Sequence, residues 1–267
     1  MATPWGGVTM TEATARGSAW FVRRSRMTAL VLLLSSGMAL ANSGGETERI
    51  ASLLAQALIS GRAVTARYQE VINRDQSADK GLTPAFFLEE MCREFEKRTG
   101  IDLRALEPTS ARNRLLLAFL AASRKTFEHA QPLINMQGLG FKGFIPAVYG
   151  RETGKHFRDM TGITLKQASD QYRNLANAPD AFETAKIEAL RAAGAERTTG
   201  SGEYLELEDQ RVYRYMQPIY IVQACLKCHG DPSTPEARDI AGRKMEGYRI
   251  GDLRGVISVT IPLDREY

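Results

Sequence analysis

The chain has 267 residues, with 35 Lys plus Arg against 31 Asp plus Glu, three Cys and three His. With 43% hydrophobic and 25% charged residues, it excludes a disordered polyelectrolyte, a disulfide-dense miniprotein and a multi-span membrane protein. Its size suits one domain or a closely joined pair, and the formal charge of +4 would ordinarily point to nucleic acid or an anionic surface.

The chain opens on an address. Residues 20–41 read WFVRRSRMTALVLLLSSGMALA. Arg23, Arg24 and Arg26 form a positive n-region, Ala29 to Leu34 an apolar core, and Ala39-Leu40-Ala41 an A-x-A cleavage site. The apolar run of about 11 residues is too short to cross roughly 30 Å of hydrocarbon stably. The expectation is a cleaved export signal with an upstream extension over 1–41, a mature domain over 42–267, and a periplasmic location with no stable membrane span. The alternative is an uncleaved anchor with residues 42–45 as its linker. The address carries Arg16, Arg23, Arg24 and Arg26 against Glu12, so the mature chain holds 31 basic and 30 acidic residues, a net of +1. The basic excess belongs mainly to the address, and a nucleic-acid partner is not expected.

Residues 46–74 carry apolar side chains at three-to-four spacing (Ile50, Leu53, Leu54, Leu58, Val64, Tyr68, Val71, Ile72), which predicts a helix with Gly61 as a weak point. A polar turn from Asn73 to Gly81 follows. Thr83-Pro84 pairs an oxygen-bearing cap with Pro at the first helical position, and that helix runs to Arg98 and stops at Gly100. Thr109 or Ser110 opens a third helix with Pro132 near its end. Gly138 to Gly143 is a turn before a fourth helical segment, FIPAVYGRETGKHFRDM, and Asn177-Ala178-Pro179-Asp180 opens a fifth through about Ala193. The pattern then changes to a period of two. Glu203 to Glu208 and Val212 to Ile221 read as a hairpin turning at Asp209-Gln210, and Val256 to Ile261 as a further strand entered through Gly251-Asp252 and Gly255. The fold class is α+β, with antiparallel strands whose apolar face needs the helices to cover it.

Cys225-Leu226-Lys227-Cys228-His229 is a C-x-x-C-H. Two thiols at this spacing can add to the two vinyl groups of one haem, and the adjacent His then reaches the iron from the proximal side. An export signal agrees with this, because c-type haem is attached outside the cytoplasm. Three other readings stand beside it. A thioredoxin-like site would follow a strand in a βαβ frame, which the pattern lacks. Zinc would need a second ligand pair, and a Cys225–Cys228 disulfide is the third reading. For the iron's distal side His156 is a candidate. Cys92, on a helical stripe with Leu88 and Phe95, reads as a core thiol, with distal ligation or a reactive thiol as alternatives. His129 is explained by a helix C-terminus, and Met136, Met160 and Met216 are soft-ligand candidates. Haem propionates call for cationic or hydroxyl partners, for which Arg243, Lys244, Arg249, Arg254, Tyr213 and Tyr215 are the candidates.

Three blocks make a family resemblance specific. They are Arg173-Asn174-Leu175-Ala176-Asn177-Ala178-Pro179-Asp180 with Glu183, then VYRYMQPIYIVQACLKCHG, then Gly251-Asp252-Leu253-Arg254-Gly255 leading into Val256 to Val259. In these the chain resembles the exported and sensor-associated c-type haem-binding domain family of PAS-like fold, over about residues 48–264. The resemblance implies a single haem c on Cys225 and Cys228, with His229 as proximal ligand. Leu175 stands where the family usually has Pro. Some members place a distal Cys in the stretch that here reads Phe144-Ile145-Pro146-Ala147-Val148, which has none. The expected function is redox or small-ligand sensing by a monohaem protein. With no output domain after Tyr267, a separate redox or signalling protein would be the partner, and a small diatomic molecule a candidate ligand. A soluble electron carrier is the alternative. A haem enzyme is a third reading, for which the sequence offers no paired acid–base site.

Overall fold

A computed structural model describes residues 45–75, 79–194 and 199–267, so the export-signal expectation over 1–41 lies outside the described residues. The fold is that of residues 47–267. Among the described residues no helix is long and apolar enough to cross a membrane.

The helical part holds α1 (residues 45–67), α2 (Gln69–Asn73), α3 (Pro84–Thr99), α4 (Ala111–Asn135) and α5 (Pro146–Thr161). The helix expected over 46–74 is therefore divided at Tyr68. The caps work as the sequence predicts. The Thr83 hydroxyl accepts from the Phe86 amide, the Ser110 hydroxyl accepts from the Asn113 amide, and Gly100 closes α3 in the left-handed conformation. Gly61 is no weakness. A Cβ there would sit 2.1 Å from the Tyr149 hydroxyl, so the missing side chain is what lets α1 and α5 approach. Tyr149 is fully buried beside Phe87, and its hydroxyl bonds Ser123 at 2.8 Å.

The sheet has four antiparallel strands: β1 (Thr164–Ala168), β2 (Ser201–Leu207), β3 (Gln210–Tyr220) and β4 (Leu253–Pro262), in the order β1-β4-β3-β2. The architecture is the expected α+β one, a PAS-like antiparallel sheet with a helical N-terminal part. Two details differ from expectation. The hairpin turns one residue early, at Glu208-Asp209, both with positive φ, so Leu207 pairs with Gln210. And β1 was not expected at all. TLKQA is short and only half apolar, and it becomes a strand because it lies along β4, Thr164 opposite Thr260 and Ala168 opposite Val256.

Side chains alternate across the two central strands. Tyr213, Tyr215, Ile257, Val259 and Ile261 face α1, α3, α4 and α5 in the large core. Met216 and Val256 point the other way, against Ile187 and Leu190 of α6 (Ala181–Ala193). A capping box at Asp180 and Glu183 sets the start of α6. Buried Glu183 then bonds Lys166 of β1 at 2.6 Å and Arg214 of β3 at 3.2 Å, which pins that helix to the sheet. Because β3 and β4 are covered on both faces, the long connection between them emerges at the end of the sheet. That connection carries the C-x-x-C-H.

Candidate functional site

Two backbone bonds close the β3–β4 connection at its base. The Ile221 amide donates to the Asp252 carbonyl and the Gly251 amide donates to the Ile221 carbonyl, each at 2.9 Å. Past this neck a single 3₁₀ turn, Gln223–Cys225, leads into one helical turn, α7 (Leu226–His229). The chain returns alongside, with the Tyr248 amide donating to the His229 carbonyl at 2.8 Å. Cys225 and Cys228 are one turn apart, half-buried and unpaired.

One arginine from outside the connection holds it shut. Arg173, on the segment between β1 and α6, meets Glu246 two-pronged: Nε to Oε1 and Nη2 to Oε2, each at 2.6 Å. Its Nη1 reaches Asp239 at 2.5 Å, and its Nη2 also reaches the Cys228 carbonyl at 2.7 Å and the Lys244 carbonyl at 3.1 Å. Asp239 in turn accepts from the Ala241 and Arg243 amides. The motif's backbone and both carboxylates of the return segment thus converge on one guanidinium.

Glu246 also meets the imidazole. Its Oε2 lies 2.8 Å from His229 Nδ1. Burial alone would raise the Glu246 carboxyl, but the Arg173 and His229 hydrogen bonds outweigh it and hold the group below the usual carboxylate range. An ionised carboxylate only accepts, so His229 carries its proton on Nδ1. Burial, reinforced by Arg254 and Arg173, lowers the His229 pKa, with Glu246 pulling the other way. With Nδ1 committed to Glu246, Nε2 is the ring nitrogen left for a ligand. Burial, and next Asp239, raise the Cys228 thiol.

The surroundings contain polar atoms with nothing to bond. Arg62 of α1 has a buried Nε without a hydrogen-bond partner. Burial lowers its pKa to about 10, with the Cys225 thiol opposing and Arg254 adding to the effect. Tyr248 has a buried, unpartnered hydroxyl and a ring 6.4 Å from that of His229. Arg254 lies 5.5 Å over the same Tyr248 ring, bonds Ser169 Oγ at 2.6 Å and stands 3.9 Å from Glu246. Chemically, this is a pair of thiols, an imidazole anchored through Nδ1, and a guanidinium N–H and a hydroxyl without partners within the protein.

The fold brings together only some of the residues named from sequence. Cys225, Cys228, His229 and Arg254 join. Arg243, Lys244 and Arg249 are exposed on the return segment. Tyr213 and Tyr215 are a correction: they lie in the core under the helices, where the strand's alternation sends them. His156 is placed against His129 across α5 and α4, ring centroids 5.2 Å apart, outside the network around His229. Cys92 is in the helical core, and burial raises its thiol to about 11. Met136 and Met160 are exposed, and Met216 packs under α6. Sequence reasoning missed Arg62, Asp239, Glu246 and Tyr248. Arg173 was visible in a family block but without a role.

The family model described as Tll0287-like, Tll0287, matches residues 45–262. The chain belongs to the Tll0287-like family. A solved structure described as that of the cyanobacterial heme-protein Tll0287 is 20% identical with a TM-score of 0.39. The alignment covers 58% of this chain and 96% of that one. No curated protein matches the chain. Family membership agrees with the resemblance carried by the Arg173-Asn174, C-x-x-C-H and Gly251-Asp252 blocks.

Proposed function

We propose that this family member carries one haem c, attached through Cys225 and Cys228 with His229 as proximal ligand, and serves redox or small-ligand sensing outside the cytoplasm. One observation carries the reading: two unpaired thiols sit one turn apart beside an imidazole whose Nδ1 is committed to Glu246 and whose Nε2 is left for a ligand. The surroundings suit the group. The unpartnered Arg62 Nε and Tyr248 hydroxyl would receive propionate oxygens, with Arg254 adding charge. Val222 and Ile240, exposed beside the motif, are apolar surface for a macrocycle to cover. When bound, the haem iron supplies one-electron chemistry and a coordination site for a diatomic molecule.

The chain's own residues anchor and orient that group. The Cys225 and Cys228 thiols would hold the haem, each by adding S–H across a vinyl group, while Arg173 fixes the Cys228 carbonyl and Glu246 fixes the His229 ring. Sensing is favoured over electron carriage because three of the donors named from sequence for the distal side are engaged elsewhere. His156 is with His129, Cys92 is a raised-pKa core thiol, and Met216 is under α6. An exchangeable distal position follows, and a separate redox or signalling protein would read it.

Expression with a c-type maturation system tests the attachment. A pyridine haemochrome spectrum of the c type is expected, and it should be lost in Cys225→Ser/Cys228→Ser. A wild-type protein without that spectrum would sink the reading. Absorption spectra of the ferrous protein should change on adding CO. An unchanged six-coordinate spectrum would transfer the reading to a soluble electron carrier.

A further inference from the structure

Of the side chains that touch His229, Glu246 does so by hydrogen bond, and it is held more firmly than that task alone requires. Its two oxygens are used in opposite directions. Both take a guanidinium N–H of Arg173 at 2.6 Å, and Oε2 also accepts from His229 Nδ1 at 2.8 Å. Arg173 is itself held in place: its Nη1 donates to Asp239, and the carbonyls of Cys228 and Lys244 share the second N–H of Nη2. The carboxylate side chain is only 13% exposed, and Arg254 stands behind it at 3.9 Å. A mobile glutamate would sample several rotamers and hold the ring loosely. This one is fixed in position and direction by three donors, two from Arg173 and one from His229, drawn from two separate segments of the chain.

We infer that Glu246 is the positioning residue for the proximal ligand: it fixes the His229 ring plane and strengthens Nε2 as a donor to the haem iron. The inference rests on the haem reading above. An N–H donated to a carboxylate leaves more electron density on the ring than one donated to a carbonyl or water, which makes the opposite nitrogen a stronger ligand. A stronger donor favours the ferric over the ferrous state, so the reduction potential is set low. Arg173 opposes part of this by drawing on the same carboxylate. The potential is then a balance between two side chains, neither of which touches the iron.

The test uses the matured holoprotein. Haemochrome content first establishes that wild type and variants carry haem. Its absence from wild type would mean that the haem reading has failed, independently of the inference. Two variants then separate bond from charge. Glu246→Gln removes the charge, whereas Glu246→Asp keeps it but draws the carboxylate back by one methylene from Nδ1. Both should raise the reduction potential, shifting the reduction equilibrium by at least tenfold, which is 59 mV for a one-electron couple. In both, the iron–imidazole stretching band of the CO-photolysed ferrous protein should move to lower frequency. Asp252→Asn removes a different carboxylate of the same connection, one that accepts from the Arg249 amide at 2.7 Å, and should leave that band in place. The inference is overturned if Glu246→Asp leaves the band and the potential at wild-type values. It is equally overturned if Asp252→Asn moves the band as far as the Glu246 variants do. Should Glu246→Gln fail to accumulate, Glu246→Asp decides alone.

Discussion

The helix-facing core and the β3–β4 connection are held by different forces. Under the helices the sheet meets Phe95, Phe119, Phe157 and Tyr149, all with essentially no exposure. In the connection, Val222, Ile240 and Ile250 are each more than half exposed, and cohesion comes from one guanidinium shared by two carboxylates and two carbonyls. Apolar burial is non-directional and spreads over many contacts. A charge network is directional and fails when one member is removed. The molecule thus places a tolerant scaffold beneath a site whose geometry depends on a few atoms.

Phe119→Ala should show the first kind of failure. It removes a fully buried ring packed on Phe157 and should cost roughly 3–5 kcal/mol of global stability by denaturant unfolding. A loss confined to the connection would contradict a continuous core. Arg173→Met should show the second kind. The expected loss is about 1.5–3 kcal/mol, the range for hydrogen bonds to charged groups, and it should be local. Hydrogen exchange should accelerate between residues 221 and 252 while the helices keep their protection. Uniform acceleration would mean that the connection and the scaffold open together.

Gly154→Ala probes the joint between helices and sheet. A Cβ there would lie 2.5 Å from the Leu165 carbonyl oxygen, so α5 must move off β1 at a cost of roughly 1–3 kcal/mol. The smallest effect is expected from acid. Burial would raise the Glu94 carboxyl, but Arg67 and Arg98 outweigh it and hold the group below its ordinary range. Its contribution is present above the unfolded pKa and lost as pH falls below about 4. Glu94→Gln should flatten the stability–pH curve there, and an unchanged curve would remove Glu94 from the account.

What was readable in the sequence was local or periodic. Thr83, Ser110 and Gly100 announce helix ends because a cap is satisfied within four residues. The alternation of β3 and β4 announces strands. What escaped depends on partners distant in sequence. β1 is a strand only because β4 lies beside it. Glu246 is a partner of His229 only because the connection folds back, and no spacing rule marks a glutamate seventeen residues downstream. Gly61 reads as a helix defect until Tyr149 is seen to fill the gap. Tyr213 and Tyr215 precede the motif closely in sequence, yet the strand's pleat turns them into the core.

The order of strands also has a consequence in time. β1 pairs only with β4, so Thr164 and Ala168 wait for Thr260 and Val256, near the far end of the chain. Closing so long a loop is among the slower events of folding. Synthesis from the N-terminus therefore delivers Cys225, Cys228 and His229 before the strand that completes the sheet exists. The C-x-x-C-H is presented on an unfinished fold, and the last described strand to be made is the one that follows the neck directly.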